Sequence, residues 1–534
     1  MKWLDTARNA WRGRSDSELP ETLRQRLADR CFGAIQDEVQ RLMTANPDAD
    51  GLKGLRAEVE RYDWSALEVE KLEAYGHFYR GDLGRAFSRA IRYCGAADGN
   101  AFDVDLFILA VLCLFHNHQY ENAYRLLSSI DESESRLAEH TIYLNIKSSI
   151  CLACDQLDEA RISLDQARRL APDDPLTAFN ACALYFELGN QPIFDQLRTD
   201  IAGGRYGNDG KDFALATCDL ARNRYAPGFD LLECRYNEQD AVRFVNPSLP
   251  ANLRWRQRGL DLPTDERLLV TCEQGLGDSI MMARYLPLMW EHLQEQLVME
   301  VQPEALTLLQ HNFPAIPMVP REHGKLPPLT FERWIGSMSL PYLFGSEPGN
   351  IPGTTGYLTV TPDNRDYWSQ RVRELAPSDS PRIGLAWSGN PAHRRDRCRS
   401  IPFELVSRFL QSQRDSSLFA LQTVIPTHHP AALIDISEEL ITLADTAALI
   451  AELDLVITVD TSIVHLAGAL GRPTWLLLPY RYEWRWGLEG ERNNWYDSVS
   501  VLRQTTRGDW EGLLTDVMGR RLPDFLDTSD KQSD

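Results

Sequence analysis

No run of eighteen apolar residues occurs in the 534-residue chain, and the amino terminus, Met1-Lys-Trp-Leu-Asp-Thr-Ala-Arg8, meets charge too early to hold the apolar core of a signal peptide. The first absence excludes a transmembrane helix. The second argues against a cleaved export signal, so a cytoplasmic protein is expected. Positive charge is in deficit, with 56 Lys and Arg against 77 Asp and Glu and a net charge of −21. Such a surface repels a phosphate backbone, which excludes nucleic acid as an expected partner, and any anionic ligand has to be held locally by helix amino termini and a few arginines. Cysteine is present but never gathered: the ten are scattered through helix and strand patterns, without the loop-rich spacing of a disulfide scaffold. Cys151-Leu-Ala-Cys154 has no second pair nearby and falls on a helical pattern, while Asp103-Val-Asp105 stands where a helix starts and reads as a cap. Neither predicts a metal site.

The front half also lacks alternating β-type runs. Up to about residue 246 the periodicity is helical, and it repeats: Gly81-Asp-Leu-Gly-Arg-Ala86, His118-Gln-Tyr-Glu-Asn-Ala123 and Asp155-Gln-Leu-Asp-Glu-Ala160 place a turn, an apolar residue and an alanine at intervals of 37 residues. Around the third alanine, Leu144, Ser148 and Cys151 fit one helix, Ala160, Leu164 and Ala167 a second, and Pro172 a breaker. This register resembles the tetratricopeptide repeat. The next unit keeps Ala178, Cys182, Tyr185 and Gly189 but has Phe194 at the alanine position. The expected divisions are a helical cap or irregular repeats over 1–66, tetratricopeptide-like repeats over 67–246 and a proline-rich connector over 247–264. Stacked helix pairs offer a concave face suited to a protein partner.

Beyond the connector, short apolar runs alternate with helices. Strands are expected at Leu268–Cys272, Leu297–Val301, Arg382–Trp387, Leu418–Gln422, Ile441–Leu443, Leu455–Val459 and Thr474–Leu478, which implies parallel sheets with helices on both faces. A Pro-, Gly- and Ser-rich zone at 336–381 separates two Rossmann-like domains, 265–375 and 376–522; the helix Asp509–Val517 is read as bridging back to the first, and 523–534 as a frayed polar tail.

Three stretches carry chemistry. Thr271-Cys-Glu-Gln-Gly-Leu-Gly-Asp278 runs from a strand through a turn with Gly275 and Gly277 into a helix, and sets the Asp278 carboxylate at the sheet edge where such folds bind substrates. Asp is equally a favoured helix cap. Trp387-Ser388-Gly389-Asn390 leads into a loop with Arg394, Arg395, Arg397 and Arg399, a guanidinium density that suits a diphosphate. Asp460-Thr461-Ser462 opens a helix that carries His465 one turn in and closes at Gly471 before Pro473, an arrangement that holds anions. Trp484 and its neighbours, a cluster of rings and arginines, either stack on a nucleobase or sugar or close a domain interface.

These motifs, with Arg399-Ser-Ile-Pro402 and His465-Leu-Ala-Gly-Ala-Leu-Gly-Arg-Pro473, resemble those of bacterial tetratricopeptide-repeat glycosyltransferases. The catalytic half of those proteins is similar to the heptosyltransferases of glycosyltransferase family 9 and, more distantly, to O-linked N-acetylglucosamine transferases and flagellin glycosyltransferases. The resemblance implies a tetratricopeptide-type solenoid followed by an α/β GT-B fold of two Rossmann-like domains, with the acceptor on the first and a nucleotide sugar on the second. It implies inverting, metal-independent transfer of the sugar to a hydroxyl, with no cofactor beyond the co-substrate. Asp278 matches the base, Arg399 a phosphate-binding cation, and Asp460, Thr461, Ser462 and His465 the diphosphate turn; Gly275, Gly277, Trp387, Ser388, Gly389, Asn390, Arg394, Gln422 and Trp484 complete the expected donor site. The acceptor by analogy is flagellin or another surface protein; transfer to a lipopolysaccharide or other glycan, and a non-catalytic scaffold, are the alternatives. One departure stands out: where the family often has Ser-Leu-Gln-Lys-Gly, this chain has Ala420-Leu-Gln422-Thr423-Val-Ile-Pro426, without the lysine.

Overall fold

The computed structural model describes residues 66–94, 102–130, 137–205, 212–236, 246, 248–322, 324–377, 380–391, 396–413, 416–480 and 483–530. Residues 1–65 of the cap expected over 1–66, Arg394, Arg395 and the last four residues lie outside this set. Two compact units divide the chain, Met1–Tyr206 and Gly207–Asp534.

Within the first unit the described residues form helix pairs: Ala66–Tyr79 with Leu83–Cys94, Val104–His116 with Tyr120–Ser128, Thr141–Ala153 with Leu157–Leu170, and Pro175–Glu187 with Gln191–Ala202. Ala86, Ala123 and Ala160 are fully buried, as their shared register requires, and so is Phe194 at the equivalent place. The turn inside each pair holds a left-handed residue at Gly81, His118, Asp155 and Gly189, and a fifth at Asn223 lies between Asp212–Ala221 and Tyr225–Leu232. Asp103 caps its helix by accepting the Leu106 amide (3.1 Å) and pairs with Lys71, while Cys151 is buried on a helix.

The fifth pair belongs to the second unit, so the division expected at 246 falls earlier. Its Tyr225 ring stacks on Trp495 (5.7 Å between centroids), Phe229 packs edge-on to Trp484 and Trp495, and Asn494 donates to Asn223 (2.8 Å). An apolar face committed to those indoles cannot serve a repeat stack.

Two parallel sheets build the rest of the second unit. The first has β1 (Leu268–Thr271), β2 (Leu297–Val301), β3 (Met318–Pro320) and β4 (Arg333–Gly336) in the order β3-β2-β1-β4. The second has β5 (Arg382–Ala386), β6 (Ser417–Ala420), β7 (Leu433–Ile434), β8 (Leu455–Val459), β9 (Thr474–Leu478) and β10 (Val499–Arg503) in the order β10-β9-β8-β5-β6-β7. Counted within each sheet the orders are 3-2-1-4 and 3-2-1-4-5-6, the doubly wound pattern with a switch point beside the first strand. Strands such as Leu-Val-Ile-Thr-Val at β8 are buried throughout because helices cover both faces.

Several expectations are corrected. Ile441–Leu443 is no strand: Ile441 is exposed, and Thr442 caps the helix Leu443–Ala451 in a reciprocal box with Asp445, which turns the apolar triplet into a helix start. The edge strands β3, β4, β7 and β10 were not anticipated. Helix Pro362–Leu375 packs on Leu443–Ala451 of the second sheet's domain and is tied there by a bidentate Arg371–Glu439 pair (2.9 and 2.8 Å), so the chain crosses between domains before 362 and not at 375. Trp510, Leu513, Leu514, Val517 and Leu522 lie in the second domain's own core, so the terminal helical run does not bridge back, and helix continues to Asp530 where a frayed tail was expected from 523.

Candidate functional site

Both switch points open at the carboxyl ends of β1, β5 and β8, and the second unit brings these ends together. Beyond β1 the chain turns through Gln274, left-handed at φ 59° in a non-glycine residue, a conformation that costs on the order of 1 kcal/mol and collects at functional turns. The helix Leu276–Met282 then begins, and Asp278 accepts the Gly275 amide (3.1 Å) in a capping arrangement. Beyond β8, Thr461 caps the helix Ser462–Ala469 by accepting the Ile463 amide (3.3 Å).

These two helices pack on each other. Gly277 is the reason they can: a Cβ there would stand 2.6 Å from Cδ2 of His465. The glycine expected to admit a ligand therefore admits a histidine of the facing domain. Gly275 has a negative φ of −83° and serves as the helix cap. His465 is buried, stacks on Trp486 (5.2 Å, 28°) and pairs its Nδ1 with the Tyr496 hydroxyl (3.0 Å). Burial, reinforced by the cations Arg485 and Arg284, holds its pKa well below the usual imidazole range, so it is a neutral ring. Its place is inside the helix contact.

Arg485 occupies the gap between the two turns. Its Nε donates to Asp278 Oδ1 (3.0 Å) and its Nη2 contacts the same oxygen; Nη1 pairs with Glu483, and Gln274 Oε1 accepts at 3.4 Å. Asp278 is only 8% exposed, so this ion pair is the main environment of its carboxylate. The neighbouring Trp486 indole donates to Asp460 Oδ1 (3.0 Å). Burial and the Glu483 charge push the Asp460 carboxyl up to about 6 against the pull of Arg485, the Trp486 indole and Arg399.

Beyond β5, Arg399 reaches the Asp460 carbonyl (2.8 Å) while its Nε pairs with Asp396 (3.1 Å), and Gly389 lies so close to the guanidinium that a Cβ would collide with it. Gly389 donates its amide to Ser400 Oγ (3.0 Å). Ser388 and Gln422 bond reciprocally (3.1 and 3.0 Å), and Asn390 continues the same loop. Asp278, Ser388, Gly389, Arg399, Asp460, Thr461, Ser462 and His465 thus surround one switch-point region. Two expected residues do not join it as side chains. Trp387 turns into the second domain's core against Phe403, and Trp484 is buried between Phe229, Trp495 and the Arg485 guanidinium, which lies 4.4 Å over its ring. Neither offers a face to a nucleobase.

Sequence reasoning also missed two buried cations that lock the frame. Arg235, from the segment after the fifth helix pair, forks onto Glu273 (3.0 and 2.7 Å) and donates to Ser339 (2.7 Å), which makes the glutamate of the first motif a structural anchor. Arg284 donates to the Trp495 carbonyl (2.6 Å) and lies over Tyr496 and Tyr357, joining the first domain's helical segment to the second domain. A buried arginine leaves no periodic signature apart from its charge on an apolar face.

A close approach of two helix amino termini, a carboxylate on one side and two arginines between suits an anionic co-substrate and a proton acceptor. Residues 439–492 match the family model for glycosyltransferase family 9 (heptosyltransferase). That segment contains Asp460, Thr461, Ser462, His465 and Arg485; Asp278 and Arg399 lie outside it. Over 400 residues the chain is 28% identical to Protein FlbA of Caulobacter vibrioides, a match that covers 68% of this chain and 64% of FlbA, less than two thirds of the relative. Among solved structures, the chain is similar to the E. coli ADP-heptose lps heptosyltransferase II (15% identity, 50% of this chain and 99% of that one, TM-score 0.36) and to a mutant of Thermobaculum terrenum O-GlcNAc transferase (13% identity, 86% and 92%, TM-score 0.33). No helix among the described residues is long and apolar enough to cross a membrane.

Proposed function

We propose that the protein is a glycosyltransferase that moves a sugar from a nucleotide-sugar donor to a hydroxyl acceptor, by inverting, metal-independent chemistry on a GT-B framework. The observation that carries this reading is the approach of the Asp460–Ser462 turn, inside the family 9 segment, to the helix that bears Asp278, with Arg485 touching the aspartate. In this reading the diphosphate lies at the amino terminus of Ser462–Ala469 and the Gly389 loop, and charge that grows on the departing phosphate is met by the helix dipole and the arginines. Asp278 takes the acceptor proton. The acceptor is a protein brought in by the helix pairs of the first unit, which act as a tetratricopeptide-type recruiting module in the cytoplasm.

The test is a thermal-shift panel of UDP-, GDP-, ADP- and CMP-sugars on the full chain, followed by release of nucleoside diphosphate with candidate acceptors. One donor class is expected to stabilise, by about 2.7 kcal/mol at a hundredfold excess over its dissociation constant. Asp278→Asn is expected to lower turnover about 10²- to 10⁴-fold without loss of donor binding. No stabilisation by any nucleotide sugar sinks the proposal. Tight donor binding with neither transfer nor hydrolysis favours the scaffold reading, which draws support from the missing lysine at Thr423 and from the ion pair on Asp278.

A further inference from the structure

An aspartate that must accept a proton stands here with its carboxylate paired to Arg485, and that arginine comes from the other α/β domain. A base so held is obstructed, because the guanidinium occupies the oxygen that the proton needs. Yet Arg485 is not bound to Asp278 alone. It also contacts Glu483 and Gln274, and the next residue, Trp486, is bonded to Asp460 at the head of the anion-holding turn. A guanidinium that serves several acceptors around a gap can exchange one of them for a stronger acceptor, and a phosphate oxygen is stronger than a carboxylate already shared with a helix cap. Asp278 itself stays in place when the arginine leaves, since the Gly275 amide holds its other oxygen (3.1 Å).

We propose that Arg485 is a positioning residue shared between Asp278 and the donor diphosphate, so that donor binding draws the guanidinium off the aspartate and frees it as a base. This rests on the function proposed above and adds to it an order of events: the acceptor proton is taken only once a donor is seated. The charge that the family's absent lysine would supply at Thr423 is supplied from the opposite side of the turn.

The thermodynamic consequence is unusual for a substitution of a base. If Arg485 is held by Asp278 about nine-tenths of the time, donor affinity is reduced about tenfold by that competition. Asp278→Asn keeps the Gly275 cap and weakens the hold on Arg485, so nucleoside diphosphates are expected to bind the variant about tenfold more tightly than wild type by titration calorimetry. Arg485→Ala is expected to weaken the same ligands about 10- to 100-fold while the parent nucleosides, which carry no phosphate, are unaffected, and Arg485→Lys recovers part of the loss. In the double variant the gain from Asp278→Asn disappears. Unchanged or weaker diphosphate binding by Asp278→Asn overturns the sharing, as does a fall in nucleoside and diphosphate affinity together in Arg485→Ala, the mark of a mere structural staple. Failure of wild type and Asp278→Asn alike to bind any nucleoside diphosphate overturns the reading of the turn itself, and the inference with it.

Discussion

Asp460 gives a prediction whose size follows from the structure. Its carboxyl is pushed up to about 6, first by burial and then by Glu483, while Arg485, the Trp486 indole and Arg399 oppose the shift. In the unfolded chain the same group titrates near 3.8. Between these values the folded protein keeps a proton that the unfolded chain has released, so stability falls as pH rises through the window from about 4 to 6 and stays lowered above it. A shift of about 2 units corresponds to about 3 kcal/mol at neutral pH. Asn at 460 copies the protonated carboxyl, accepts the same indole hydrogen bond and never ionises. Asp460→Asn and wild type are therefore expected to have similar stability near pH 4 and to diverge up to pH 7, with the variant the more stable.

The second unit has roughly 330 residues, for which the entropy of unfolding is about 0.7 kcal/mol/K, so 3 kcal/mol corresponds to a rise in Tm of about 4 °C. Because two units make the whole chain a poor two-state system, the assay is fluorescence-detected unfolding from pH 4 to 8, in which Trp484, Trp486 and Trp495 report on this region. A difference in Tm that does not change with pH refutes the reasoning, since it would show that ionisation of Asp460 carries no cost. A carboxylate kept at such a cost marks a functional site.

Three further outcomes test the frame. Gly277→Ala forces a methyl against His465 at 2.6 Å, and is expected to destabilise the second unit by about 1–3 kcal/mol in thermal unfolding. Glu273→Gln leaves the buried Arg235 with Glu233 (2.8 Å) as its remaining carboxylate and is expected to cost about 1–3 kcal/mol by denaturant titration, whereas Glu300→Gln is expected to be neutral or stabilising at pH 7. The difference has a physical cause: among the described residues Glu300 forms no ion pair, its side chain accepts from Thr271 (2.7 Å) and Asn246 (2.8 Å), and burial holds its carboxyl above the usual range against those bonds and the weaker pull of Arg321.

The parts of the molecule legible in the sequence are those with a period or a punctuation mark. Ala86, Ala123 and Ala160 announced the helix pairs because a small side chain recurs at one buried register position where paired helices meet, and β2, β8 and β9 could be bounded to the residue because buried parallel strands read as unbroken apolar runs between breakers. Ile441–Leu443 failed because a three-residue apolar run has no period, and the Thr442–Asp445 box decided it. The turns at 273–278 and 460–462 were findable by their strand-turn-helix context. The partner of Asp278 was not: Arg485 lies 207 residues away, and no local pattern distinguishes a guanidinium that crosses a domain gap from one that points to solvent.

In the function proposed above, that arginine bears on how an acidic protein would hold a diphosphate with Thr423 where the resemblance implies a lysine. Thr423, which follows β6, is exposed and itself brings no charge. Arg399 is committed to Asp396 and to the Asp460 carbonyl, where it braces the turn. Among the described residues, the carboxylates of Asp278, Glu483 and Asp460 gather around the Arg485 guanidinium, a balance that repels anions if every group is ionised. Below about pH 6 the proton on Asp460 relieves it; above that, in the sharing proposed above, relief comes from Arg485, which gives up a carboxylate for a phosphate. Binding of an anion therefore leaves a freed carboxylate behind, and the one freed at Asp278 is where an acceptor hydroxyl needs a base: the electrostatic cost of seating the donor is converted into the basicity that the transfer requires.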